Sequence, residues 1–562
     1  VPEAALDVAP EQAPEKPRSR PNWAAIGAVV AGTVAITLHA SRFGKWIVDD
    51  AAITFAYARS IAEGHGPVLQ PGAEPVEAFS NPSWLVLLSV GRLVGLFDHG
   101  SIFGIPDYVV YPKALAVLCC AGILVAFYRT AAALTRRPAL VTLCAGIALA
   151  AIPSFVIWCF SGLENSLFAL AVSWLAAVVC RGAVNDRLLT PRVAITAGLL
   201  AALAALTRPD GAIYVTAFPV LALLRVTKPT WRPVVQFALL SVVAYAVPYG
   251  AYIGWRVLEF GQLLSMPAVA KGQQPPDTST LGRVSEVVTY GGALAALLLA
   301  ICVGIALVQP SRLRVGLAAL LVPLTLALVA YTILMPDWMA QQRFATPIWP
   351  LICLVGTLAI GRAIVRSNIR GRVVIVLGTV VALVPSVSTF ADASDSFRAS
   401  PTVPMCVVLE RFGLPFNHYA DLLGVRQGSV LMPDIGGTAL VSRLQIIDLA
   451  GLAEKRIAQI RGGGTLVQQL PDYVFETARP TFIHMHQAWG ASLYEDPRLA
   501  RDYEVIYTAG KAYDGTDLVR RDAVPNPGAL TAARAYASQA IATANAQAVQ
   551  APLRACGATL RP

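Results

Sequence analysis

The residues of this chain best suited to chemistry are a few charges set at the edges of apolar sequence. Asp49 and Asp50 stand side by side after Trp46-Ile47-Val48, and Glu164 follows Ser161-Gly162-Leu163. Arg208 and Asp210 flank Pro209, Lys271 follows Ala270, and Asp337-Trp338 precedes Arg343-Phe344. Two adjacent carboxylates are suited to accepting a proton or to holding a divalent cation. They equally suit a helix start, where Asp accepts hydrogen bonds from free backbone N–H groups. Arg208 and Asp210 have a comparable structural alternative as a mutual pair at a helix entry. His484-x-His486 has the alternation that puts two rings on one strand face, but no third ligand stands nearby and no metal site is expected there.

What must position these charges follows from composition. Of 562 residues, 56% are apolar and 14% are charged, against about 25% charged in an ordinary soluble protein. With a mean hydropathy of +0.59, the chain is not a water-soluble, disordered or coiled-coil protein. Spans need roughly 20 apolar residues. About eleven are expected, at 23–40, 108–128, 138–152, 163–180, 193–206, 212–224, 234–255, 287–308, 315–334, 347–364 and 373–390. Residues 1–22 read as a disordered cytoplasmic leader before an uncleaved first span.

Lys plus Arg at 44 against Asp plus Glu at 34 gives +10. The excess gathers in alternate connections, among them Arg129, Arg136 and Arg137, then Arg181, Arg187 and Arg192, then Arg312 and Arg314. That pattern records orientation rather than nucleic-acid binding, and it places the N-terminus in the cytoplasm. The catalytic candidates then share the outer face. Charges at membrane depth are costly and usually face a cavity, so their convergence on one side marks a functional site.

The transmembrane unit is expected over 23–390, with a long outer loop at 41–107 carrying surface helices at 51–61 and 82–97. An odd number of spans puts 391–562 outside as a soluble α/β domain. Its strands are expected at 428–432, 444–449, 481–486 and 503–507, and an Ala-rich helix at 530–550. Cys406 and Cys556 lie in that domain, where an exported chain can pair them. The other seven cysteines fall in apolar runs and read as small buried hydrophobes. Trp46, Trp84, Trp158, Trp338 and Trp349 fit an interfacial belt.

Taken in order, several motifs resemble a known family. Trp46-x-x-Asp49-Asp50, Phe55-x-Tyr57-Ala58, Gly64-His65-Gly66-Pro67, Pro71-Gly72-x-x-Pro75-Val76-Glu77-Ala78 and Trp84 look like the first periplasmic loop of bacterial GT-C glycosyltransferases. The likeness continues through Ser161–Glu164, Leu206–Gly211, Ala270-Lys271, Asp337-Trp338-Met339, Arg343-Phe344, Asp434–Gly437 and Ile447–Leu452. It is nearest to the terminal arabinofuranosyltransferases of mycobacterial arabinogalactan and lipoarabinomannan synthesis, and it departs from them at Ala56, Gln70 and Ala73.

The resemblance implies a polyprenyl-phosphate-linked sugar donor, a cell-envelope glycan acceptor, and transfer on the outer face of the cytoplasmic membrane. Arabinofuranose is the expected sugar, with mannose the alternative and a transporter or flippase the rival class. By the same resemblance Asp49 or Asp50 takes the acceptor proton; the adjacency of the two carboxylates, apart from the resemblance, makes a divalent cation at the pair a candidate cofactor. Arg208, Lys271 and Arg343 would hold the donor phosphate, Arg being suited to a bidentate grip. His65, Glu77, Glu164, Asp210, Asp337 and Trp338 would orient these groups or bind sugar hydroxyls.

Overall fold

The computed structural model describes residues 22–272, 280–464, 466–509 and 515–561. The expected leader lies outside them except for Asn22, whose side chain accepts a hydrogen bond from Ala25 N–H at 3.2 Å and caps the first helix. Every expected span falls on helix. Seven are single helices long and apolar enough to cross a membrane: Trp23–Ser41, Asp107–Leu134, Asn165–Val184, Trp231–Phe260, Arg312–Ile333, Ile348–Arg366 and Ile369–Ala399. Two are bent pairs, Pro138–Ala151 with Pro153–Cys159 at 82° and Val284–Gly291 with Ala293–Val308 at 101°. The remaining two, Pro191–Thr207 and Pro209–Leu223, are shorter apolar helices.

Local chemistry explains the breaks. Ile152 precedes Pro153 and is extended, as the proline ring demands of the residue before it. Gly292 has φ of 94°, open to glycine and costly for other residues. Arg208, extended before Pro209, obeys the same proline rule, and the break leaves its side chain at a helix junction. Close packing elsewhere relies on small residues. A Cβ on Gly198 would meet the carbonyl oxygen of Ser241 at 2.2 Å, so the Pro191–Thr207 and Trp231–Phe260 helices touch through backbone.

The long helices Trp231–Phe260 and Ile369–Ala399 present most of their apolar surface outward, which is the face a lipid solvent requires. Cys144 also points outward, correcting the expectation that all seven span cysteines are buried; the other six are. Trp46, Trp84, Trp158 and Trp349 are core residues rather than a belt, since each is 2% exposed or less, whereas Trp338 is 59% exposed. Their indole N–H groups explain the burial: Trp84 donates to Gly162 O at 3.0 Å and Trp349 to Ser154 Oγ at 2.9 Å.

The two helices expected in the long loop are Asp49–Ala62 and Pro82–Leu93, but the first is a core helix rather than a surface one, with ten of its fourteen residues buried. After the last span, the Ile369–Ala399 helix continues through Phe390, so the chain enters the α/β region as helix. That region holds a five-stranded sheet of β1 (Ser429–Met432), β2 (Gln445–Asp448), β3 (Phe482–Met485), β4 (Tyr503–Tyr507) and β5 (Thr516–Arg520). Spatial order is β2-β1-β3-β5-β4, with β1, β2 and β3 parallel and β5 antiparallel to both neighbours. β5 is the strand the sequence reading missed. The Ala-rich helix runs Pro527–Gln550 and is capped by Asn526. Cys406 and Cys556 form a disulfide, their Cα atoms 4.9 Å apart.

The long loop clamps the α/β region to the helices. Trp46 Nε1 donates to Thr402 O at 2.9 Å, and Met405 N donates to Ile47 O at 2.9 Å. Gln70 works as a strap: its Nε2 donates to Ser442 O and Leu444 O, each at 3.2 Å, while its Oε1 accepts from Ile446 N at 3.0 Å. Arg59, paired with Asp98 at 2.6 Å, also donates to Leu440 O at 2.7 Å.

Candidate active site at the junction of loop, helices and sheet

The junction gathers most of the charges singled out in the sequence, but it gives them different surroundings. Asp49 opens the Asp49–Ala62 helix and is 6% exposed. Its two carboxylate oxygens accept from Gly436 N at 3.2 Å and Gly437 N at 2.7 Å. The carboxylate thus satisfies free N–H groups of the Gly436–Val441 helix across the interface. Burial, with Asp434 and Asp50 beside it, holds its pKa well above the usual carboxylate value. Asp50 is half-buried, and no hydrogen bond to its carboxylate is found among the described residues. Burial raises its pKa; Arg343 and Lys271 oppose the shift, and Asp337 and Asp434 reinforce it. Among the described residues, one Asp is therefore engaged and its neighbour has no hydrogen-bond partner.

Arg343 pairs with Asp337 at 2.7 Å and lies over the rings of Phe344 and Trp158, 5.0 and 5.8 Å from their centroids. Trp158 fixes the turn before it by donating to Ala340 O at 3.1 Å and Gln341 O at 3.0 Å. Asn165 donates to Arg343 O at 3.3 Å. The guanidinium is thus held in one place, and its charge acts against the rise in the Asp50 pKa. Lys271 ends the short Met266–Lys271 helix, which is anchored by Met266 N donating to Glu77 O at 3.0 Å. Burial lowers the Lys271 pKa, while Asp50 and Asp337 draw it upward.

Arg208 sits between two acids, Asp210 at 2.9 Å and Glu164 at 3.1 Å, with the Phe344 ring 4.8 Å away. Asn81 donates to the other Glu164 oxygen at 2.8 Å. The structural alternative weighed for Arg208 and Asp210 is the geometry observed, widened to include Glu164. Glu77 binds Arg256 at 2.5 Å and accepts from Tyr252, which ties the loop to the Trp231–Phe260 helix. His65 is exposed on its turn and Trp338 is exposed beside the site; neither shows a side-chain hydrogen bond among the described residues.

For the candidate cation the donor set fits poorly. Both Asp49 oxygens already accept N–H groups, and no group of three metal-ligating side chains occurs among the described residues.

Two contributions to the site from the sheet region, Asp434 and the His484–His486 pair, are not among the site residues expected from the sequence. Asp434 follows the C-terminal end of β1, two residues before the Gly436 that binds Asp49, and its charge acts on both Asp49 and Asp50. His484 and His486 stand at the same end of the neighbouring parallel strand β3, and burial raises the Asp434 pKa while both histidines lower it. His484 is held by Asp517 at 2.7 Å, which also binds Arg411 at 3.1 Å and accepts from Tyr419 at 3.0 Å. The Nδ1 of His486 is buried without a partner among the described residues. The carboxyl ends of parallel strands are where open α/β sheets place ligands. The sequence signal was the Asp434-Ile435-Gly436-Gly437 motif, legible as a motif but not as a partner of Asp49.

The sequence matches no family model and no curated protein. Among solved structures the chain is similar to ArnT from Cupriavidus metallidurans in the apo state, with a TM-score of 0.59 and 14% identity, covering 90% of this chain and 100% of that one. The same protein bound to undecaprenyl phosphate gives 0.55 and 14%, with the same coverage. The Archaeoglobus fulgidus oligosaccharyltransferase in the apo form gives 0.53 and 10%, covering 86% of this chain and 73% of that one. At these identities the likeness is one of fold, and the chain is a polytopic helical membrane protein with a C-terminal α/β region.

Proposed function

We propose that this chain is a membrane glycosyltransferase that moves a sugar from a polyprenyl-phosphate donor to a hydroxyl of a glycan acceptor, on the outer face of the cytoplasmic membrane. The observation that carries the reading is Asp50, a carboxylate with no hydrogen bond among the described residues, whose pKa is raised by burial and drawn back down by the charges of Arg343 and Lys271. Its support is the shared fold with ArnT, which has been solved bound to undecaprenyl phosphate.

In this reading the donor's lipid tail lies among the helices and its phosphate meets Lys271 and Arg343. Asp50 accepts the proton of the acceptor hydroxyl as its oxygen bonds to the anomeric carbon. The bond from that carbon to the phosphate oxygen breaks, and the electron pair leaves with the polyprenyl phosphate. Both cations stabilise the charge that develops on the leaving group. Asp337 positions Arg343, Glu164 and Asp210 position Arg208 behind it, and Asp49 locks the sheet region onto the loop. Arabinofuranose is the lead sugar from the motif resemblance, with mannose next.

Outward orientation is supported by the basic residues on the opposite helix ends and by the Cys406–Cys556 disulfide, a bond of oxidising compartments. The test is incubation of purified protein with a panel of polyprenyl phosphosugars and a glycan acceptor, followed by mass spectrometry. Sugar-dependent release of polyprenyl phosphate together with a glycosylated acceptor is expected. Absence of transfer from every donor by a folded preparation would refute the proposal.

A further inference from the structure

Far from the junction, a cavity of about 420 Å³ opens among three helix ends and is lined by Tyr128, Arg129, Arg181, Asn185 and Arg312. A second of about 600 Å³ adjoins it, shares Asn185 and Arg312, and adds Arg187. The Asp107–Leu134 helix begins on the loop face and carries Arg129 near its other end. The 22 residues from Asp107 to Arg129, at about 1.5 Å each, put the cavity about 33 Å along the helix from the loop face, which is headgroup depth in the opposite leaflet.

The charges here differ from those at the junction. Arg208 and Arg343 each have a carboxylate within an ion-pair distance, whereas Arg129, Arg181, Arg187 and Arg312 show no ion pair among the described residues. The only acid lining either cavity is Asp186, in the second. Asn185 accepts from Arg312 at 2.8 Å and so holds that guanidinium at the seam between the two cavities. Three like charges on three packed helices repel one another unless an anion joins them. Guanidinium groups favour phosphate, which accepts paired N–H donors, and basic pockets between spans on the cytoplasmic side suit anionic headgroups.

We infer that this cavity is a phosphate-binding site occupied by the headgroup of an anionic phospholipid of the cytoplasmic leaflet, which bridges Arg129, Arg181 and Arg312. The assignment does not depend on the proposed transfer reaction.

The test compares full-length protein in phosphatidylcholine nanodiscs with and without phosphatidylglycerol, reading melting temperature and, by native mass spectrometry, retained lipid. The wild type is expected to keep one phosphatidylglycerol and to melt about 2 °C or more higher with it. Arg312→Gln, alone and combined with Arg129→Gln and Arg181→Gln, should remove that increment while leaving melting in phosphatidylcholine unchanged. If the triple variant fails to fold, saturation of the wild-type shift at one bound lipid still decides the matter, because general surface attraction rises without saturating. An equal loss in the Arg366→Gln, Arg370→Gln and Arg372→Gln variant would overturn the site in favour of diffuse charge. An equal shift from inorganic phosphate in lipid-free detergent would overturn the assignment to a lipid.

Discussion

The carboxylate of Asp49 accepts two backbone N–H groups, whereas that of Asp50 has no donor among the described residues and feels the charges of Arg343 and Lys271. Adjacent residues of one type should therefore fail differently. Asp50→Asn is expected to abolish transfer with melting unchanged. Asp49→Asn turns one acceptor oxygen into an NH₂ that faces an N–H, which costs about 1–3 kcal/mol for the buried donor left unpaired. It should lower the melting temperature while the folded fraction keeps transferring; a normally melting, inactive Asp49→Asn protein would return Asp49 to the chemistry. The pH profile follows from the same surroundings. A base whose pKa is raised loses activity, as pH falls, sooner than an ordinary carboxylate would. Lys271, with its pKa lowered, loses its charge, as pH rises, sooner than an ordinary lysine. The kcat/KM profile should be narrowed from both sides, and Lys271→Arg should move only the alkaline limb outward, because Arg stays charged. Nothing in the sequence separated the two acids, since the distinction lies in a glycine pair nearly four hundred positions away in the chain, at |i−j| of 387 and 388.

At the scale of elements, what was legible was what local sequence controls. Each apolar run became helix because a lipid-facing backbone must satisfy its own hydrogen bonds, and four of the five strands announced themselves as short β-branched runs. β5, Thr516-Asp517-Leu518-Val519-Arg520, was hidden because its buried face includes Asp517, a charge made tolerable only by Arg411, Tyr419 and His484 from other elements. The tryptophans were misplaced for the same reason, their indole partners being distant carbonyls and hydroxyls. The interface itself rests on a close approach of backbones. A Cβ on Gly436 would lie 2.1 Å from Asp49 O and 2.7 Å from its carboxyl carbon, so Gly436→Ala should separate loop from sheet and destabilise the protein by about 1–3 kcal/mol. Thermal melting and protease sensitivity of residues 400–560 would show it. Arg208, closed in by Glu164 and Asp210, predicts a larger effect on folding. Arg208→Ala strands two buried carboxylates, a loss on the order of 3–5 kcal/mol, so expression and melting should fall before any change in KM for the donor can be read.

Over the whole molecule, one chain makes the site from three sources: the loop after the first span, the breaks between spans, and the carboxyl ends of a sheet that follows the last span. Such a site requires the sheet region and the loop to share one side of the membrane, and the C-terminal segment enforces that sharing. Lys45 N donates to Leu553 O at 2.9 Å, Tyr108 donates to Gly557 O at 3.0 Å, and the Cys406–Cys556 disulfide closes the segment against the entry to the sheet region. Because the basic helix ends lie opposite, the shared side is expected to be the outer one. Labelling of intact cells checks this directly. Cys144, the one exposed free cysteine among the described residues, is first replaced by Ala to remove background. Ser538 is exposed on the Pro527–Gln550 helix, and Asn368 is exposed at the start of the Ile369–Ala399 helix. Ser538→Cys should react with a membrane-impermeant maleimide in whole cells, and Asn368→Cys only after lysis. In the same cells Cys406 and Cys556 should resist alkylation until reduced, and replacing both by Ser should cost about 2–5 kcal/mol of stability. Labelling of Asn368→Cys but not Ser538→Cys in intact cells would invert the topology, place Asp50 among cytoplasmic nucleotide sugars, and remove the reason for a lipid-linked donor.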